Sequence, residues 1–132
     1  MGGEFGTLLL GAALVSLGAI VGTPLRFFVA GQVSQRVGET FPWGTLVVNV
    51  SGCIMMGLIG AYAMRHGLSG QSEIWLLIAT GFLGSYTTVS SFALQTLVLA
   101  RDGETRGALL YIGLSLGLCL GAVALGFAGG SL

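Results

Sequence analysis

The sequence predicts an all-α integral membrane protein of four transmembrane helices. Three observations carry that prediction. Of 132 residues, 54% are hydrophobic and 8% charged, whereas a soluble domain carries about a quarter charged residues. The apolar residues gather into four stretches, each meeting the roughly 20 residues that a bilayer-spanning helix requires. Glycine occurs 24 times with no Gly-X-Y repeat, and in so apolar a chain it favours membrane helices whose backbones approach closely. The same numbers exclude an ordinary soluble enzyme and a disordered chain. A nucleic-acid binder is excluded too, because five arginines balance five carboxylates and lysine is absent, which leaves no basic patch.

Hydropathy outlines a single four-helix domain over residues 1–132, with spans at about 7–30, 44–64, 72–100 and 107–130. The first span is not a signal peptide, since no positive charge precedes it. It carries Gly18 and Gly22 at four-residue spacing, and Pro24 loosens its end just before Arg26. The second follows Trp43 and contains Asn49. The third holds a run of hydroxyl residues, and the fourth holds the row Gly113, Gly117 and Gly121. Small residues four apart let helix backbones meet, within one subunit or between two. Trp43, Tyr62 and Trp75 mark span ends, where amphipathic rings prefer the membrane interface. The connections are short and hold nearly all the charge, so no extramembrane domain is expected and the chain is placed in the cell membrane as a multi-pass protein.

Orientation is weakly specified. Arg36, Arg101 and Arg106 lie on one side and Arg65 on the other. That excess favours a cytoplasmic position for the first and third loops, but so thin a margin permits insertion both ways up. Chains of this kind can form antiparallel dimers.

Polar residues inside the spans are the informative ones. Asn49 reads either as a helix–helix hydrogen bond or as a donor in an ion path. In the third span, Gly81 to Phe92 reads GFLGSYTTVSSF. Ser85, Thr87, Thr88, Ser90 and Ser91 cannot all be satisfied on one continuous helix face, so a helix broken mid-span after Gly84 is expected. Such breaks survive at membrane depth only against buried protein or a cavity, and their free carbonyls and N–H groups can bind ions. The competing reading is an intact helix whose hydroxyls bond to the preceding turn. Tyr111, Ser115 and Cys119 recur every four residues, forming a stripe on the fourth span. Arg26 reads either as an interfacial arginine that snorkels to water or as a positive charge in an anion vestibule.

The absences narrow the function. Glu4, Glu39, Glu73, Asp102 and Glu104 all lie at span ends or in loops, so the intramembrane carboxylate of a proton-coupled transporter is missing. No Ser-His-Asp arrangement and no metal-ligand cluster suggest an enzyme. Cys53 and Cys119 read as small buried residues. A passive, hydrogen-bonding pore for a small ion fits this inventory.

These motifs together resemble the Fluc (CrcB-type) fluoride channel family. The matches are GAIVGTPLRFF (Gly18 to Phe28), FPWGTLVVNVSG (Phe41 to Gly52), GFLGSYTTVSSF, and the Tyr111/Ser115/Cys119 stripe, in order across all four spans. The resemblance implies a dual-topology homodimer of two antiparallel subunits with two parallel fluoride pathways. It implies a structural Na⁺ at the dimer centre, held by backbone carbonyls that fall on Gly84 and Thr87. It also implies that Asn49, Thr88, Ser90, Ser91, Phe92, Tyr111, Ser115 and Cys119 line the fluoride path, with Arg26 at the vestibule. A phenylalanine contributes there through its ring edge, which carries partial positive charge. The implied role is passive fluoride exit that lowers cytoplasmic fluoride, driven by about 2.3 kcal/mol per charge per 100 mV.

The sequence departs from the family at four points. Val89 stands where the first of two phenylalanines is expected, Cys119 replaces a serine, Ser85 a glycine, and Gln95 an acid. These leave open a working channel with altered conduction, one half of a heterodimer with a paralogue, or an engineered variant. A small dual-topology multidrug-type transporter is the runner-up, but it requires a membrane-embedded glutamate in the first helix, where only Glu4 is near.

Overall fold

The computed structural model describes residues 2–68, 70 and 72–132. Ser69 and Gln71, part of the loop expected between the second and third spans, lie outside it, as does Met1. Every regular element among the described residues is helical. They are α1 (Gly2–Val37), α2 (Trp43–Arg65), α3 (Glu73–Trp75), a π-helical segment (Leu76–Leu83), α4 (Gly84–Tyr86), α5 (Ser90–Arg101) and α6 (Thr105–Ser131). Four stretches are long and apolar enough to cross a membrane: Gly2–Val37, Trp43–Arg65, Glu73–Arg101 and Thr105–Ser131. The 36 residues of α1 rise about 54 Å at 1.5 Å each, so its ends stand beyond a hydrocarbon core of about 30 Å. Pro24 lies inside α1 without ending it.

Glycine stops three of the helices. Gly38, Gly67 and Gly103 take positive φ, 98°, 64° and 81°, a conformation that a β-carbon opposes. After the last two the chain turns so that the Leu68 N–H donates to the Ala63 carbonyl and the Glu104 N–H to the Leu99 carbonyl, each at 2.9 Å. These bonds satisfy carbonyls that a helix end leaves free.

Elsewhere glycine brings helices into backbone contact. A β-carbon at Gly18 would strike the Leu77 carbonyl and the Phe82 nitrogen, and one at Gly81 would lie 2.6 Å from the Val15 carbonyl. α1 therefore lies directly on the π-helical segment. A second crossing joins α2 to α6, where a β-carbon at Gly57 would lie 2.6 Å from the Phe127 nitrogen and one at Gly130 would lie 2.8 Å from Ala61. Gly113, Gly117 and Gly121 are different, since a β-carbon on any of them meets nothing within 4 Å. That row packs against none of the other described residues.

Val48, Leu83 and Tyr86 form the buried apolar centre, with Val29, Ala30, Met55, Met56, Ile59 and Phe82 packed around it. It sits between α1, α2 and the third span. Most other large apolar side chains face outward, among them Leu8, Ile20, Leu109 and Leu125, as expected where the surrounding solvent is lipid.

The third span changes its winding along its length. Its π-helical segment is wider than an α-helix, a geometry that is rare and often found at functional sites. Past Tyr86, Thr87 is extended, with φ −81° and ψ 159°, and regular α-helix resumes at Ser90.

Candidate functional site

Residues 87–89 are held from across the subunit by Asn49 of α2. Its side-chain nitrogen donates to the Thr88 carbonyl at 2.9 Å, and its side-chain oxygen accepts from the Thr88 N–H at 2.8 Å. The carboxamide thus copies the two-bond pairing of a backbone amide. It satisfies both polar groups that Thr88 would otherwise leave unpaired in an apolar interior, at about 1–3 kcal/mol each. The neighbouring turn fits closely beneath: a β-carbon at Gly52 would collide with the Thr87 methyl group. Ser51 and the buried Tyr86 share a hydrogen bond of 2.9 Å.

The hydroxyl cluster divides in two. Ser85 donates to the Phe82 carbonyl and Thr87 to the Leu83 carbonyl, both at 3.0 Å, so these two hydroxyls bond back to the preceding turn. Thr88 instead caps α5, its hydroxyl accepting from the Ser91 N–H at 3.1 Å and lying 3.3 Å from that of Ser90. A side chain that accepts from the N–H three residues on is a helix N-cap, worth about 1 kcal/mol.

This arrangement releases carbonyls of the third span, those of Gly84 and Thr87 among them. In a continuous α-helix the Thr88 N–H bonds to the Gly84 carbonyl and the Ser91 N–H to the Thr87 carbonyl. Here the first is taken by Asn49 and the second by the Thr88 hydroxyl. Gly84 and Thr87 therefore lose the donors that regular winding would bring them.

Beside this segment lies a cavity of about 440 Å³. Its wall contains Asn49, Thr88, Phe92, Ser115 and Cys119, and no charged side chain. Gly84, Thr87 and Val89 also border it. Val89 is 79% exposed and offers only a branched aliphatic surface. The stripe on α6 is split: Ser115 and Cys119 reach the cavity, while Tyr111 is fully buried one turn away. The Tyr111 hydroxyl donates to Gln95 Oε1 at 2.9 Å. Its ring packs on Phe92, centroids 5.2 Å apart, and edge-on to Phe41 at 5.5 Å. Tyr111 thereby props Phe92 against the cavity.

Ser90 and Ser91 begin α5 outside the cavity wall. Arg26 is not brought to it either. The Arg26 guanidinium lies over the Phe27 ring, 4.9 Å from its centre, and its Nε is buried with no hydrogen-bond partner among the described residues. Two participants were hidden from sequence reasoning: the Thr88 backbone as partner of Asn49, and Gln95 as partner of Tyr111. In the sequence Gln95 stands out only as a departure from the family. A glutamine lying on the face of α5 that holds Phe92 was the available signal.

The chain matches the family model described as CrcB-like protein, Camphor Resistance (CrcB), over residues 13–127. It is 49% identical over 128 residues to the fluoride-specific ion channel FluC 2 of Bradyrhizobium diazoefficiens, covering 96% of this chain and 93% of that protein. It is 55% identical over 119 residues to the fluoride-specific ion channel FluC 2 of Rhodopseudomonas palustris, covering 89% and 91%. A relative from Brucella suis, fluoride-specific ion channel FluC 3, is 49% identical over 117 residues, with 88% of each chain covered. The family model spans all four membrane helices, and the chain belongs to the CrcB-like family.

Proposed function

We propose that this chain is a fluoride-selective channel that lets F⁻ leave the cell passively, down the membrane potential. The observation that carries the reading is the uncharged cavity walled by Asn49, Thr88, Phe92, Ser115 and Cys119. A small, strongly hydrated anion enters a membrane only if fixed donors replace its water. Asn49 spends one amide N–H on Thr88, and its second, which every carboxamide carries, remains for an ion. The Ser115 hydroxyl and the Phe92 ring edge add donors of graded strength. No carboxylate or other charged side chain lines it, which suits a passive pore and argues against an ion-coupled multidrug-type exporter.

In this reading residues 87–89 are the functional break of the third helix. The Gly84 and Thr87 carbonyls, deprived of their helical donors, fit a hard cation that takes oxygen ligands, and Na⁺ is the proposed occupant at the centre of a dimer. When bound, it supplies positive charge that offsets the cost of an anion in a low-dielectric site. A pair of antiparallel subunits would give four such carbonyls. The open row Gly113, Gly117 and Gly121, unused within the subunit, leaves surface for a second copy, and the thin arginine bias allows both orientations. The partner is a second copy of this chain, and a paralogue is the alternative.

Fluoride efflux from liposomes containing only this purified chain tests the proposal, with chloride as control. Rapid fluoride release with chloride retained is the expected result. Folded protein that releases neither ion would point to a non-conducting subunit that requires a paralogue.

A further inference from the structure

The second span and the start of the third enclose a groove separate from the ion cavity, with a volume of about 340 Å³. Leu58 and Tyr62 of α2 border it on one side, and Ile74, Trp75 and Ile78 on the other. No charged side chain lines it. Leu58 follows Asn49 by nine residues, about two and a half turns at 3.6 residues each, so the groove and the ion cavity lie on opposite faces of α2. Gly117 likewise precedes Gly126, which touches α2, by nine residues, so the open glycine row faces away from α2 as well. A second copy placed on that row and on the Gly84–Thr87 segment leaves this groove open to the bilayer.

The surroundings limit what can fill it. A void against hydrocarbon forfeits the dispersion contacts of its lining, and an acyl chain restores them. The groove includes Tyr62 and Trp75, whose amphipathic rings prefer the membrane interface, so its mouth lies at headgroup level. Ionisable groups stand there on both sides: Arg65 and His66 at the end of α2, and Glu73 at the start of α3. The His66 ring lies against that of Tyr62, centroids 4.2 Å apart. Arg65 and Glu73 are both exposed. A cation and a carboxylate flanking one acyl groove match a headgroup that carries both charges. Arg65 suits its phosphate. Glu73 suits an ammonium that still has N–H donors, because charge-assisted hydrogen bonds are about twice as strong as neutral ones.

We propose that the groove between α2 and the third span is a phosphatidylethanolamine site, with one acyl chain between Leu58 and Ile78, the phosphate at Arg65 and the ammonium at Glu73. The acyl contacts are the same for any phospholipid, so the charges at the mouth set the preference. Phosphatidylcholine carries both charges but has no N–H to donate to Glu73. Phosphatidylglycerol has no ammonium and brings a net negative charge next to Glu73.

The test uses the full purified chain in detergent and these three lipids with identical acyl chains, and native mass spectrometry reads the bound fraction. Phosphatidylethanolamine should bind about 10-fold more tightly than the other two, the factor that one hydrogen bond to a charged group supplies. Glu73→Ala should erase its advantage over phosphatidylcholine, and Arg65→Gln should weaken all three lipids. Leu58→Trp enlarges a side chain that is already exposed and fills the groove, so it should reduce binding of all three while the chain stays folded. Equal binding of the three headgroups, or a preference that survives Glu73→Ala, would overturn the headgroup assignment. Undiminished binding in Leu58→Trp would overturn the groove as the site. A Leu58→Trp chain that falls from dimer to monomer would give the groove to a second copy instead of a lipid. These readouts are independent of fluoride flux and of the channel reading.

Discussion

A single carboxamide holds the least regular part of the molecule. Asn49 donates to and accepts from Thr88, so Asn49→Asp replaces a donor with an oxygen that faces the Thr88 carbonyl oxygen. The change removes one hydrogen bond and sets a negative charge beside the ion cavity. Fluoride efflux is expected to fall by about 10- to 100-fold, the effect of roughly 1.4–2.8 kcal/mol on a barrier, and liposome flux measures it. Val89→Phe makes the opposite prediction. Val89 projects outward with 79% of its surface exposed, so a ring costs the fold little and supplies a missing edge at the cavity. Efflux should equal or exceed that of the parent chain, and a clear loss would contradict the ring-edge argument. Asn49 was legible in the sequence because a polar residue in an apolar span draws attention. Its partner was not, since a residue 39 positions away is reached only once Thr87 leaves helical geometry.

Helix contacts in this chain are decided by which glycines face a neighbour. Gly81→Leu would drive a side chain into the Val15 carbonyl of α1, costing about 1–3 kcal/mol or more by overpacking, so the yield of folded protein and its thermal midpoint in detergent should drop. Gly113→Ala adds a methyl group to open space and should leave the folding of a subunit within about 0.5 kcal/mol. Four-residue spacing alone could not tell these rows apart. Gly18 and Gly22 meet the third span, whereas the longer row on α6 meets no other described residue. The glycines that do join α6 to α2, Gly126 and Gly130, lie a turn or more beyond that row. Hydropathy was enough to find four spans, because burial in lipid demands long apolar runs. The hydroxyl cluster offers two readings, a break after Gly84 or hydroxyls bonded to the preceding turn. Ser85 and Thr87 do bond back to their own turn, while the capping of α5 by Thr88 was not legible.

Over the whole molecule, the proposal is of two oppositely oriented copies sharing a cation. Exchange of Na⁺ for N-methylglucamine throughout purification should lower the thermal midpoint of the dimer and promote its dissociation. Unchanged stability without Na⁺ would remove the cation from the account. Reporter fusions at the C-terminus should report both orientations in comparable amounts, and a single orientation would reject the antiparallel pair. These features depend on contacts between subunits, which neither hydropathy nor motif spacing within one chain can supply. The fluoride pathway itself is tested most directly by the reversal potential of the purified chain in a planar bilayer, with fluoride on one side and chloride on the other. A reversal potential far toward the fluoride equilibrium value is predicted. A value near zero, with both anions carrying current equally, would contradict a fluoride-selective pore.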